Sequence, residues 1–576
     1  MTASNVSIVA ALRQLVAYTK LEDGQSQSFR TRAYEKAIDA IVAAPDEIGG
    51  YSLAELKAID GVGDSTARKI LEYSASGRIG KVERLKNQYP PTMLDLMRIP
   101  GLGPKTVLAL QEHLDVVDVE GLRAALDNQQ LRTLPGLGVK SELKISESIQ
   151  LLGIHSDSTR KPIFDAMQIA QRVISELGAS GDVARIEYAG SLRRLSETIG
   201  DIDILVTSDE PERVISDFLG LPGVTAVLGS GTTKASIVID DSMQVDLRVV
   251  AEQAFGAALM YFTGSKGHNI ELRKRSLALG LTLNEYSLSH VDDGEAVAAS
   301  TESEIYEALG LQWITAEVRE GTTEIAAADA QRLPAPLSVA DIRGDLHVHS
   351  SWSGDGRSTL EDMLDAVASR GLDYVAITDH AENLAINGLS RQRMRDQREE
   401  IEMHRERLPG LEILHGVELN IDGDGSIDYD PEFLELFDVG VASVHSHFDL
   451  DESAQTERLL VAIENPAVTV IGHPTGRRIG RRPGISFNVD AIFAAAAETG
   501  TALEINCSLA RLDLPAAMLR KAMDVPGVMF AVSTDSHHVR DLDNISWGVS
   551  QARKGWVPRE RVLNSLPKGE FLSAIR

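Results

Sequence analysis

Residues 189–204 read Ala-Gly-Ser-Leu-Arg-Arg-Leu-Ser-Glu-Thr-Ile-Gly-Asp-Ile-Asp-Ile. The β-branched run 202–206 predicts a strand, and its period of two puts Asp201 and Asp203 on one face. Two carboxylates so placed repel each other unless cations lie between them, which suits Mg²⁺ bridged to a phosphate. Upstream, Gly190 and Ser191 offer amides and a hydroxyl, and Arg193 and Arg194 offer guanidinium donors for phosphate. A third carboxylate, Asp246, falls on a second predicted strand, 244–250. A bare Asp-x-Asp is as readily a solvated strand edge. Three strand carboxylates beside a Gly-Ser turn form the donor set for two-metal nucleotidyl transfer.

A second constellation lies downstream. Asp345-Leu346-His347-Val348-His349 ends a predicted strand, and Asp355 follows in a Gly/Ser loop. Five later strand ends carry Thr378-Asp379-His380, Gly416-Val417-Glu418, His445-Ser446-His447, Gly472-His473-Pro474 and Asp535-Ser536-His537. Ten of the 14 histidines fall in 341–576. Short apolar strands at 374–377, 413–416, 439–444, 468–471, 502–505 and 530–532 alternate with helices such as 360–370. That pattern predicts a parallel sheet closed into a barrel. Imidazoles and carboxylates converging at the C-terminal strand ends are what a multinuclear Zn²⁺, Mn²⁺ or Fe centre requires. Arg477, Arg478, Arg481 and Arg482 follow His473, as a basic patch for DNA or as a solvated loop.

The remaining chain is helical at its start. Three turns repeat one pattern: Ile59-Asp60-Gly61-Val62-Gly63, Ile99-Pro100-Gly101-Leu102-Gly103 and Leu134-Pro135-Gly136-Leu137-Gly138. Paired glycines permit a tight hairpin between helices whose amides point outward toward a phosphate. Gly61, Gly63, Gly101, Gly103, Gly136 and Gly138 are therefore candidate DNA-binding positions, reaching the phosphate directly or through a monovalent cation; the competing reading of each turn is a helix C-cap glycine before another helix. Residues 156–316 mix predicted strands (202–206, 236–239, 244–250) with helices (162–177, 270–279), an α+β pattern. The stretch 317–342 reads as an extended linker.

Composition sets bounds on all of this. At 576 residues the chain holds roughly four domains at about 150 residues each. Apolar residues at 43% and charged residues at 25% exclude wholesale disorder. The single cysteine, Cys507, excludes an intramolecular disulfide and points to a reducing compartment. The N-terminus lacks a cationic leader and no apolar stretch reaches about 18 residues, so a cytosolic protein is expected. Net charge is −28, shared evenly between 1–340 and 341–576. Any DNA contact must therefore use local basic patches, backbone amides or bound cations.

The string from Gly190 to Asp203, with Tyr261-Phe262-Thr263-Gly264-Ser265-Lys266 and the hairpin repeats, resembles the family X DNA polymerases, the family of DNA polymerase β. The resemblance covers about residues 1–320. It implies that Asp201 and Asp203 hold both metal ions (Mg²⁺ or Mn²⁺), and that Asp246 holds the catalytic one and orients the primer 3′-hydroxyl. Ser191 and Arg194 would bind the β,γ-phosphates, with Gly190, Arg193 and Gly200 nearby. Tyr261, Phe262 and Gly264 would pack on the nucleotide sugar, and Asn269 would contact the base edge. Lys266 stands where the vertebrate enzyme has an acid, and Gln244 where it has an arginine. Lys69 falls at the nucleophile's place of a 5′-deoxyribose phosphate lyase, with Tyr34 in the same pocket. Ser65 and Arg30, however, replace its phosphate-binding lysines.

Residues 343–576 resemble the PHP (polymerase and histidinol phosphatase) domain, a distorted (β/α)7 barrel with three metals. The resemblance implies His347, His349, Glu418 and Asp535 at one metal, Glu418, His445 and His473 at a second, and Asp355, His380 and His537 at a third. The loop 353–356 carries one residue more than the family pattern, which loosens the expectation for Asp355. The expected architecture is a helix-hairpin-helix domain at 1–85, a second helical DNA-binding subdomain at 86–155, a nucleotidyltransferase palm at 156–250, a nucleotide-selection subdomain at 251–320, a linker at 321–342 and the PHP barrel at 343–576. The combination resembles a bacterial family X polymerase with a C-terminal PHP domain. It implies a monomeric, nucleoid-associated enzyme of base excision repair that acts on gapped or nicked DNA and deoxynucleoside triphosphates, with other repair proteins as partners and no membrane. A 3′→5′ exonuclease, or a 3′-end or abasic-site processing activity, is implied for the barrel. The competing readings are a purely structural barrel and a small-molecule phosphoesterase such as a histidinol phosphatase.

Overall fold

The computed structural model describes residues 5–25, 28–42, 48–59, 61–97, 102–134, 137–138, 142, 145, 160–179, 181–240, 242–384 and 386–575. The chain forms two compact units, Met1–Ser158 and Thr159–Arg576. Gly101 and Gly136 lie outside the described residues.

The first unit is all helix among its described residues. Asn5–Asp23, Phe29–Val42, Asp64–Ser76, Gly80–Gln88 and Pro104–Leu114 are its longer helices. Ile8, Leu12, Leu15, Ala37, Ile41, Ile70, Val82 and Leu110 meet in one core, each helix giving residues at three- and four-residue spacing. The hairpin pattern has a mechanical explanation here. Val62 and Leu102, the apolar residues between the glycines, are 5% and 3% exposed and pin each turn to that core. Gly63 and Gly103 then cap the next helix without a side chain, so the first-turn amides stay open.

The second unit carries three sheets that concern function. A five-stranded palm sheet runs in the order β2 (Arg185–Tyr188), β4 (Asp201–Thr207), β7 (Met243–Val250), β6 (Lys234–Ile239), β5 (Val224–Ser230). A short pair, β1 (Lys161–Pro162) and β3 (Thr198–Ile199), edges it. Burial alternates strictly along β7, with Val245 and Leu247 in the core and Gln244, Asp246 and Arg248 on the open face. Next comes a three-stranded sheet of β8 (Leu281–Leu283), β9 (Leu288–His290) and β10 (Ala296–Ala298), packed by the helices Phe255–Thr263, Lys266–Ala278 and Glu302–Ala308. The stretch expected as an extended linker is partly ordered into this body. It holds the helix Glu324–Asp329, whose Ala328 is fully buried in the same core as Ile305 and Leu309.

The third sheet has seven parallel strands in chain order: β11 (Gly344–Val348), β12 (Tyr374–Ile377), β13 (Glu412–Asn420), β14 (Val439–Ser443), β15 (Val470–Gly472), β16 (Ala502–Asn506) and β17 (Phe530–Ser533). Nearly every strand residue is buried on both faces, as a parallel sheet jacketed by helices requires. The seam between β11 and β17 closes by polar contacts. His349 N donates to Ser536 O (2.8 Å), Asp535 N to His347 O (2.9 Å), and Asp345 accepts from Thr534. At the other end Asn564 bridges the seam, donating to the carbonyls of Gly344 and Val532 (both 2.7 Å). The result is a nearly closed seven-stranded barrel whose C-terminal strand ends gather every histidine motif at one mouth.

Candidate active sites

In the palm, β4 and β7 run parallel with Asp203 directly opposite Asp246, while Asp201 lies opposite Gln244. All four share the open face. Gln244 donates to both oxygens of Asp246 (3.0 and 3.2 Å), so the residue standing at the family's arginine position ties down the third carboxylate. Burial, followed by the charges of Asp201 and Asp246, pushes the Asp203 carboxyl up to about 7. Burial and Asp246 likewise raise Asp201. Three carboxylates held in mutual repulsion on one sheet face are the donors a divalent cation would neutralise. Gly190 is required where it stands. Its φ is 62°, and a Cβ there would come within 2.4 Å of Asp203 Oδ2.

The two arginines that follow Ser191 part company. Arg194 donates to the Thr263 carbonyl and keeps Nε buried with no acceptor. Arg193, expected among the nucleotide contacts, is instead fixed by Glu302 through two bonds (2.9 and 2.8 Å) and by Thr263 Oγ1 (2.8 Å). Glu302 also accepts from the fully buried Arg319 (2.5 Å). Burial alone would raise the Glu302 carboxyl, but the two guanidiniums hold it at about 2. Arg193 thus fastens the loop to the helix Glu302–Ala308. Beside it the Tyr261 and Phe262 rings meet edge to face at 5.0 Å, with Arg273 over Tyr261 and Arg248 over Phe262. Asn269 donates to the Tyr261 carbonyl (2.7 Å), Gly264 takes φ 64°, and Lys266 is exposed in the first turn of its helix.

At the barrel mouth, Glu418 is the hub. Its Oε1 lies 3.4 Å from His347 Nε2, 3.3 Å from His445 Nε2 and 3.1 Å from His473 Nε2. Its Oε2 lies 2.8 Å from His380 Nδ1 and 3.6 Å from His349 Nε2. Asp535 Oδ1 approaches His349 (3.3 Å), His347 (3.7 Å) and His537 (3.7 Å). Asp355 reaches His380 (3.1 Å) and His537 (3.4 Å) in spite of its longer loop, and Asn387 steadies it by donating at 2.9 Å. Three triads bring one donor atom from each residue within 4.8 Å of the others: His349–His380–His537, His347–His349–Glu418 and His380–Glu418–His445. All nine expected ligands converge, with His349, His380 and Glu418 each shared between two of the triads.

The donor chemistry fits divalent metal. His347 Nε2, His349 Nε2, His380 Nδ1 and Asp355 Oδ1 are buried without a hydrogen-bond partner, a costly state for polar atoms unless a ligand takes them. Burial and the neighbouring imidazoles His537 and His380 press His349 down to about 3, so it stays neutral and able to coordinate. Burial would raise Glu418, yet the surrounding histidines hold it well below the carboxylate range.

Several working residues were not singled out from the sequence. Glu504 on β16 is fully buried, accepts from His347 Nδ1 (2.7 Å) and from the His473 amide (2.6 Å), and so fixes two ligands at once. Asn420 Oδ1 pairs with His445 Nδ1 (2.8 Å), and Asn506 donates to Glu504 and Asp535 (both 3.1 Å). A lone Glu inside the apolar run 502–505 was the available signal for Glu504. In the first unit, Lys69 Nζ donates to Ser65 Oγ (2.7 Å) and lies 5.4 Å from the Tyr34 ring, and burial lowers its pKa. Arg30 is committed to Glu22 and Asp23.

Family models match this chain in four places: helix-hairpin-helix domain over residues 3–79, SAM-like helix-hairpin-helix tandem over 93–150, DNA polymerase beta thumb over 258–320 and PHP domain over 345–508. The DNA polymerase/3′-5′ exonuclease PolX of Bacillus subtilis (strain 168) is 36% identical over 562 residues, 97% of both chains. The chain belongs to the bacterial PolX family of DNA polymerases. Some other relatives match a smaller share of the chain. A probable phosphatase of Syntrophotalea carbinolica is 36% identical over 28% of this chain and 65% of that protein, and one of Shewanella sediminis 30% identical over 40% and 93%. The likeness to the phosphatases thus covers less than half of the chain, whereas the PolX likeness covers nearly all of it. No helix among the described residues is long and apolar enough to cross a membrane.

Proposed function

We propose that this protein fills short gaps in DNA by template-directed nucleotidyl transfer and trims 3′ ends by 3′→5′ exonuclease action at the barrel mouth. The observation that carries the reading is the presence of two donor sets in one chain, the palm carboxylates in register and a mouth where six His and Glu residues group as metal donors with Asp355, His473 and Asp535 in contact with them.

Asp201 and Asp203 would hold both palm metals and Asp246 the catalytic one, Mg²⁺ or Mn²⁺. These ions would supply charge neutralisation at the transferring phosphoryl group and help ionise the attacking hydroxyl. Asp246, fixed by Gln244, orients the primer 3′-hydroxyl. Ser191 and the free Nε of Arg194 bind the triphosphate, while Gly190 keeps the loop against Asp203. Arg193 serves as a positioning residue through Glu302, not as a phosphate ligand. Tyr261, Phe262 and Gly264 receive the sugar, and Asn269, Lys266 and Gly200 border the same site.

At the mouth, the nine ligands would hold up to three divalent metals, Mn²⁺ ahead of Zn²⁺ or Fe. These would acidify a coordinated water and clamp the phosphodiester for in-line attack. The protein's own part is to hold the ligand imidazoles in place: Glu504 through the His347 ring and the His473 amide, and Asn420 through the His445 ring. Gly61, Gly63, Gly103 and Gly138, with Gly101 and Gly136 in the same repeats, grip the DNA backbone through helix amides and a bridging monovalent cation. Lys69 remains the lyase candidate, its amine partly desolvated beside Tyr34. Base excision repair, in a nucleoid-associated monomer, is the setting this chemistry fits.

The test is a 5′-labelled primer in a one-nucleotide gap with a 5′-phosphate, incubated with Mn²⁺ with and without deoxynucleotides. Lengthening with nucleotides and shortening without them is the expected pair of results. Lengthening alone would reduce the barrel to a scaffold, and shortening alone would remove the palm assignment. Borohydride trapping on a 5′-deoxyribose phosphate end, lost in Lys69→Ala, tests the lyase. Absence of any trapped wild-type adduct would refute it.

A further inference from the structure

The four arginines after His473 divide into two pairs. Arg477 is structural: Nη1 pairs with Glu197 Oε1 (2.7 Å), and Nε and Nη2 donate to the carbonyls of Arg511 (2.8 Å) and Leu512 (2.5 Å). Arg482 is structural too, donating twice to Gly476 O (2.9 and 2.6 Å) with its guanidinium 3.9 Å over the Phe448 ring. Between them the chain makes a tight hairpin, closed by Arg478 N to Arg482 O (2.9 Å) and Arg482 N to Arg478 O (2.8 Å). Ile479 at its tip is 8% exposed and packs into the palm core. Gly480 takes φ 73°, and a Cβ there would meet Pro162 at 2.6 Å. The hairpin is therefore rigid and anchored on both bodies.

Its other two arginines have no such duty. The Arg478 and Arg481 side chains are exposed, and neither donates to an acceptor among the described residues. Arg511, from the loop after β16, extends the same group inward. Its Nε lies 3.7 Å from Asp535 Oδ2, and its Nη1 is buried with no acceptor. The Arg511 charge bears on both Arg478 and Arg482. A chain with 85 carboxylates and a net charge of −28 has ample means to neutralise Arg478 and Arg481, yet leaves both without an acceptor among the described residues. Arg478 and Arg481 also border a hollow of about 490 Å³ lined by Glu197, Thr198 and residues 477–484.

We propose that Arg511, Arg478 and Arg481 form a track for successive backbone phosphates of a single DNA strand whose 3′ end lies at the barrel mouth. The inference rests on the exonuclease reading and adds its substrate-binding surface. A polyanion suits this group better than a small phosphate ester, because two exposed guanidiniums without acceptors accompany a largely buried one beside Asp535 and together offer donors for more than one phosphate. Planar guanidiniums read phosphate without reading sequence, so the track serves any strand.

The experiment uses the full chain, Mn²⁺ and a 5′-labelled oligothymidylate. The variant R478A/R481A is expected to raise KM about tenfold with kcat within about twofold. The slope of log KM against log salt should become shallower by about 1.4, at about 0.7 per single-strand phosphate contact. Gap filling by the same variant reports that the fold is intact. A wild type that digests while the variant keeps its KM and salt slope overturns the track alone. A wild type that digests nothing removes the exonuclease reading and the track with it. Equal loss on bis(p-nitrophenyl) phosphate, which has one phosphate, also overturns the track, because the hairpin would then be shaping the metal centre itself.

Discussion

Glu504→Gln is the sharpest test of how the barrel mouth works, because it changes one atom and touches no proposed ligand atom. The carboxylate accepts on both oxygens, from the His347 ring on one and from the His473 amide and Asn506 on the other. An amide can keep only one accepting oxygen, so its NH₂ group must face either the His347 Nδ1–H or the His473 N–H. Either choice places donor against donor at a fully buried site, which costs about 1–3 kcal/mol. If His347 instead switches tautomer, its Nε2 gains a proton and ceases to be a donor for metal. Loss of such outer partners typically lowers metal affinity or activity about 10–100-fold. Calorimetric titration with Mn²⁺ should show that weakening, with exonuclease activity restored at higher Mn²⁺. Gap filling, supported by a separate carboxylate set, should stay unchanged. Wild-type Mn²⁺ affinity in Glu504→Gln would refute the argument that Glu504 sets the His347 tautomer.

Other outcomes follow from the same contacts. Asp203→Asn should cut nucleotide addition by about 10³-fold or more, the several kcal/mol of a lost metal ligand, while leaving 3′-end trimming intact; parallel loss of both activities would mean the sites are not independent. Gly190→Ala should depress gap filling alone, since its Cβ would collide with Asp203 and a left-handed alanine costs about 1–2 kcal/mol; normal primer extension would show the loop can shift. Glu302 has its carboxyl depressed from 4.5 to about 2, so its ion pairs contribute stability that is fully present above about pH 4.5 and fades as pH falls toward 2, about 3 kcal/mol in all. The urea-stability gap between wild type and Glu302→Gln should therefore narrow below pH 4.5, and a constant gap would refute the pairing. Lys554→Met should raise the KM for deoxynucleotide about tenfold although Lys554 lies in the barrel helix Ile545–Lys554, because its amine donates to the Arg194 and Leu195 carbonyls (2.8 and 3.2 Å); an unchanged KM would mean the phosphate loop holds itself.

What the sequence revealed depended on period and repetition. The strand 374–377 and the alternation of Asp201 with Asp203 were legible because a two-residue period is a local property. Eight of the nine residues that meet at the mouth were legible because each lies at or just after the end of a recognisable apolar strand, and Asp355 because it follows the first of them in a Gly/Ser loop. Glu504 escaped because it sits inside such a strand, where a carboxylate looks like an interruption until His347 is seen against it. Arg193 was assigned to phosphate from its residue type; only the folded chain brings Glu302, 109 positions later, to claim it. The helix Glu324–Asp329 was hidden in an Ala/Thr/Pro-rich stretch because its stability comes from tertiary burial of Ala328, and from Glu324 accepting from His268 and the Gly321 and Thr322 amides.

The least legible feature is the joint between the palm and the barrel. It is made by single side chains that no local pattern marks: Arg477 on Glu197, Lys554 on the Arg194 and Leu195 carbonyls and on Glu320, Arg553 on Glu317. Arg477 and Lys554 both land on the loop between Ser191 and Asp201, the segment that lies next to the palm carboxylates. A barrel serving only as a nuclease could hang from the polymerase by a linker. Here its last long helix carries the lysine that fastens the nucleotide loop, and its arginine hairpin seats Ile479 in the palm core. The barrel is thus part of the polymerase's own scaffold. Ligand-removing substitutions at the mouth and joint-breaking substitutions at Lys554 should therefore separate its chemical role from its structural one.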